Sequence, residues 1–154
     1  MTLSFMSCSN APKEFDYSQW LDDYLKPKSE YLYLFKSRHI SRAENDSINI
    51  PDNGPSKPIV TLSKDTIIVE FFKHQFIGCY GSEYGNFEVN GKTGKLLFCT
   101  ICDPSQGYTP ETGPMHFKYF IKRNRTTESL IMIPEERDLL LKKMPIVEED
   151  EIVD

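Results

Sequence analysis

The stretch NFEVNGKTGKLLFCTICDP, residues 86–104, decides the fold class. Two runs of apolar, aromatic and β-branched residues flank the polar segment NGKTG, which is the pattern of a tight hairpin. Asn90 can start the turn by bonding backbone ahead of it, and Gly94 can take a positive φ at a bulge position. The second run carries two cysteines three apart. If residues 95–102 are extended, Cys99 projects with Leu97 and Ile101, while Cys102 projects with Phe98 and Thr100. Thiols on opposite faces neither grip one metal ion nor close a redox pair. A redox Cys-x-x-Cys also draws on a helix N-terminus to lower its thiol pKa, and the following DPSQG reads as a turn.

A zinc site would need two more ligands. His74 and Cys79 in HQFIGC are the available pair, but their opposite parity requires a bulge at Gly78. The reading that asks least is structural, with Cys79 and Cys99 as small buried residues on adjacent strands. In an oxidising compartment they could be disulfide-bonded. Neither a metal nor another cofactor is expected.

Upstream, IVTLS and DTIIVEFFKHQFIGCYG are strand-forming runs separated by a turn signal, and EYLYLFKS makes a plausible first strand. Between them, residues 38–58 are polar, with Pro51, Pro55, Pro58 and Gly54, and read as a long loop. Downstream, residues 102–114 form a loop with three prolines and two glycines. MHFKYFIK then alternates, with Met115, Phe117, Tyr119 and Ile121 on one face. SLIMI is the last strand.

Two helices frame these strands. KEFDYSQWLDDYL, residues 13–25, spaces Phe15, Tyr17, Trp20, Leu21, Tyr24 and Leu25 at near-helical intervals. PEERDLLLKKM, residues 134–144, has Pro134 at the first position, acids first and lysines last, an order that suits the helix dipole. The expectation is an α+β domain spanning residues 13–145, built on a mainly antiparallel sheet of five to seven strands, with an N-terminal and a C-terminal helix packed on it. Residues 1–12 form a flexible leading segment and residues 146–154 an acidic tail.

The leading segment MTLSFMSCSN is a short apolar and small-residue run ending at Cys8. It resembles the end of a bacterial lipoprotein signal, with Ser7 and Cys8 as the matching pair. It departs from that pattern in having Phe5 where an aliphatic is usual, and no basic residues precede the run. The resemblance implies lipidation at Cys8 and an extracytoplasmic, lipid-anchored domain. The other reading is a frayed tail with a free cysteine on a cytoplasmic protein.

Catalytic motifs are sparse. No H-E-x-x-H, G-x-S-x-G or phosphate-binding glycine loop occurs. A small hydrolase can be drawn only by pairing His74 or His116 with a carboxylate, Ser82–Glu83 lying nearby in sequence. KYFIKRNR, residues 118–125, has the look of a basic stacking strand, but Tyr119 belongs to the apolar face. The net charge of −5 opposes phosphate backbones and favours a basic partner. Nucleic acid is therefore not an expected ligand. Tyrosines set among glycines and prolines suit a binding surface: Tyr80 and Tyr84 in CYGSEYGN, and Tyr108 in GYTPETGP. The leading expectation is a non-catalytic binding protein recognising a protein or a cell-envelope ligand. A soluble acidic immunity protein that neutralises a toxin is the second, and the hydrolase the third.

Overall fold

The computed structural model describes residues 28–78, 82–102, 109 and 111–137. These form seven strands: β1 (Leu32–His39), β2 (Ile59–Leu62), β3 (Thr66–Phe76), β4 (Ser82–Asn90), β5 (Thr93–Ile101), β6 (Thr112–Lys122) and β7 (Ile131–Glu136). Two short helices accompany them, α1 (Arg42–Ser47) and α2 (Arg125–Glu128). The strands make two sheets rather than one. The first is antiparallel in the order β1-β6-β3-β2; the second, β4-β5-β7, joins an antiparallel pair to a parallel one.

The sheets face each other because each strand alternates. Met115, Phe117, Tyr119 and Ile121 of β6 lie on the inward face beside Ile67, Val69 and Phe71 of β3. Phe87, Leu96 and Phe98 of the second sheet complete the same buried cluster. Phe71 stacks on Phe117 with ring centres 5.1 Å apart, and Phe98 tilts against both at 5.2 and 5.0 Å. Each such ring contributes about 1.5–3 kcal/mol through burial alone. Gly85 makes the close approach possible, since a Cβ there would run into the ring of Phe35.

The expected hairpin joins β4 to β5 with Asn90 opposite Thr93. The positive φ belongs to Gly91, at +60°, and not to Gly94. A two-residue connection needs its left-handed residue inside the loop, where Gly costs least. Gly94 instead lies in β5, where a Cβ would press on Phe87 and Met132. The polar excursion is not wholly irregular: Ser41 caps α1 by accepting from the Glu44 amide at 3.2 Å.

Residues 13–25 lie outside the described residues, so the expected N-terminal helix does too. The expected C-terminal helix is corrected at its start, because Pro134, Glu135 and Glu136 continue β7 beside β5. The ladder explains why Pro134 is tolerated. Ile131 donates to the Lys92 carbonyl and Arg137 to that of Phe98, so alternate amides point toward β5. Pro134 falls on the other parity, where its missing N–H faces the open edge. Charge order along a helix counts only if the backbone is helical, and here pairing with β5 prevails.

Candidate functional site

At one end of the sandwich the inward faces turn polar. Lys73 and Gln75 continue the inward parity of Phe71 along β3, and Thr100 continues that of Phe98 along β5. Gln75 Nε2 donates to Thr100 Oγ1 at 3.1 Å and to Glu136 Oε1 at 3.2 Å, bridging the two sheets. Lys73 Nζ donates to Gln75 Oε1 at 3.0 Å and pairs with Glu136 Oε2 at 3.3 Å. The Thr100 hydroxyl, accepting from Gln75, donates onward to Glu83 Oε1 at 2.8 Å.

Glu83 is where this network meets a cavity. Its side chain comes from the inward face of β4, in line with Gly85 and Phe87 and opposite Thr100. Oε1 is bonded by Thr100, but Oε2 is shut off from solvent and meets no hydrogen-bond partner. Burial disfavours the charged carboxylate and pushes its pKa up to about 7. The Thr100 hydrogen bond opposes that rise, Glu136 adds to it, and Lys73 opposes it more weakly. A carboxyl in this state exchanges its proton near neutrality.

The cavity is a cleft of about 490 Å³. It is lined by Ser37, Arg38 and His39 at the end of β1, by Phe76 to Gly78 where β3 ends, and by Glu83, Thr100, Thr109, Glu111 and Met115. Gly78 lies so close to Thr109 that a Cβ would collide with its carbonyl, and the two are joined by a backbone hydrogen bond of 2.9 Å. Arg38 is already engaged by Glu44 at 2.9 Å. That leaves Glu83 and Glu111 to set the sign of the field inside.

The residues expected to carry function fall differently. Cys8, Tyr80 and Tyr108 lie outside the described residues, as does Cys79. Tyr84 is not in a loop: it is in β4, on the outward face, 9% exposed, and its hydroxyl accepts from Asn86 Nδ2 at 3.2 Å. His116 has a carboxylate partner, Glu70, at 3.0 Å, and stacks on Phe72 with centres 4.8 Å apart. Burial holds its pKa below the usual imidazole range, while Glu70 pulls the other way. This pair, however, is on the outward face of the first sheet, with His74 on the same face. Neither histidine lines the cleft.

The two cysteines of this run differ in state, and Cys102 lies just past the end of β5. Cys99 is free, fully buried, and its thiol is pushed up to about 12, chiefly by burial and further by Glu83. Cys102 is disulfide-bonded. A bond between Cys79 and Cys99, left open for an oxidising compartment, is not made: Cys99 is free and lies opposite Tyr84. Among the described residues, no group of three or more His, Cys, Asp or Glu is placed to hold a metal ion.

Gln75, Lys73 and Thr100 had no expected role, and Glu83 entered only beside Ser82 as a carboxylate for the hydrolase. Their signal was parity: each is a polar residue at a position where its strand's alternation calls for an apolar one. No protein-family model, curated protein or solved structure matches this chain.

Proposed function

We propose that this is a non-catalytic binding protein whose end-on cleft accepts a cationic hydrogen-bond donor, such as a lysine or arginine side chain of a partner protein. The observation that carries this reading is Glu83 Oε2, a buried carboxyl oxygen without a partner on a residue that lines the cleft. An unpaired buried acceptor costs free energy. An ammonium or guanidinium that reached that oxygen would relieve the cost and favour ionisation. Glu111 at the rim and the overall charge of −5 draw the same class of ligand.

The domain belongs, on this reading, outside the cytoplasm and is held there by a lipid on Cys8. A disulfide at Cys102 supports an oxidising compartment. Lipidation of Cys8 leaves Cys79 as the partner of Cys102. The second reading, an acidic immunity protein that covers a basic toxin site, shares the same cleft chemistry and differs in compartment. Little favours the hydrolase, because His116 and Glu70 are on an open face away from the cleft.

Selection of a random peptide library on the immobilised protein at pH 8 tests the reading. Enrichment of peptides rich in lysine or arginine, with binding lost in Glu83→Gln, is the expected result. Enriched peptides without basic residues, or ones that bind Glu83→Gln equally well, would overturn it.

A further inference from the structure

We propose that the open side of the sandwich, between β2 and β7, is a docking edge for an extended, acid-flanked apolar segment of a partner protein, which adds to β2 as a fifth strand of the first sheet. This goes beyond the cleft and uses none of its residues. Each of these two strands is the last in its sheet. Of the seven large hydrophobic residues exposed among the described residues, five lie on them: Ile59, Val60, Leu62, Ile131 and Ile133.

Val60 and Leu62 carry the argument. Their pairing with Val69 and Ile67 turns them toward the interior, yet they are 49% and 56% exposed. The sandwich gapes here: Val60 and Leu62 look across a groove of about 250 Å³ to Leu130 and Met132, with Ile67 as its floor. The backbone is available at the same residues. Ser63 donates to the Thr66 carbonyl, so ladder bonds to β3 fall on Thr61 and Ile59, and the amides of Val60 and Leu62 point to the open edge. An added strand would gain main-chain bonds from these two residues and bury alternate side chains in the groove.

Charge selects the occupant. Lys57 lines the groove before β2, and Lys64 follows the strand after Ser63. The acid at the groove, Glu128, is already paired with Arg123. The seven-residue step from Lys57 to Lys64 spans roughly 23 Å of extended chain, enough for a short apolar strand with an acid at each end.

The probe is a fluorescein-labelled nine-residue peptide in which alternating valine and threonine are bracketed by two glutamates at each end. Saturable anisotropy at low salt is expected, with amide shifts in ¹H–¹⁵N spectra confined to β2 and β7. Binding should weaken at least tenfold in the Lys57→Glu, Lys64→Glu double variant. It should be lost in Val60→Pro, which removes an edge amide, and for a peptide with lysines in place of glutamates. Glu83→Gln should leave it unchanged, so this proposal and the cleft reading fail separately. Absence of saturable binding, shifts elsewhere, or equal affinity in the charge-reversed variant would overturn it. So would concentration-dependent dimerisation through β2, or β2 shifts that disappear on deleting residues 145–154, since either names a different occupant.

Discussion

The buried hydroxyl of Tyr119, on β6, donates to the carbonyl of Leu97, on β5, at 2.8 Å, a hydrogen bond that crosses from one sheet to the other. It fixes the spacing of the sheets at the centre of the core. Burial raises the Tyr119 phenol well above its usual range, so it stays a donor at any working pH. Tyr119→Phe keeps the ring and strands the carbonyl. It should destabilise the fold by about 1–3 kcal/mol in urea denaturation, with little change in the slope.

Phe98 touches both Phe71 and Phe117. Phe98→Ala should cost about 3–5 kcal/mol. Leu34→Ala, on the 43% exposed outward face of β1, should cost about 1 kcal/mol or less. A matched pair of denaturation curves checks the contrast; similar losses would mean that the two sheets do not share one core.

Cysteine chemistry separates by residue. In the native protein at pH 8, Cys99 should resist alkylation, because its thiol ionises only at about 12 and is buried. Denaturation should expose Cys99 without reductant, whereas Cys102 should label only after reduction. Peptide mapping without reduction should find Cys102 linked to Cys79. A Cys102–Cys8 link would remove the lipid anchor from the account.

His116 offers a pH test away from the cleft. Its folded pKa lies below its usual value, so its neutral form is the one the fold favours. The associated stability is present above the unfolded pKa and lost as pH falls through it toward the folded one. Glu70→Gln removes the influence that raises this pKa, so an NMR titration should move the His116 midpoint lower still.

Glu83 behaves in the opposite sense. Its folded pKa of about 7 exceeds the unfolded 4.5, so the fold holds this proton more tightly than the open chain does. Stability from this group is full below pH 4.5 and falls as pH rises to about 7. The loss approaches about 3 kcal/mol at ~1.4 kcal/mol per pKa unit. Thermal melts of Glu83→Gln across this window should lack that decline.

Much of the sheet framework was legible in the sequence. Period-two alternation placed Met115, Phe117, Tyr119 and Ile121 on the buried face. Alternation says which residues share a face; it does not say which sheet a strand joins, so the division into two sheets was not legible. Pro134 misled for a related reason, since it suits a helix start as well as a strand whose N–H side is open. The cleft stayed hidden because it is assembled from the ends of β1, β3, β4, β5 and β6, which meet only in three dimensions. Glu83 looked like a turn residue until its parity could be compared with that of Thr100.

The direct test of the cleft is the pKa of Glu83, followed by ¹³C NMR of its side-chain carboxyl carbon with and without a selected arginine-containing peptide. The account predicts a midpoint near 7 in the free protein and a fall of at least one unit when the peptide binds, corresponding to about tenfold tighter binding to the ionised form. A midpoint in the ordinary carboxylate range, or one that the bound peptide leaves unmoved, would contradict it.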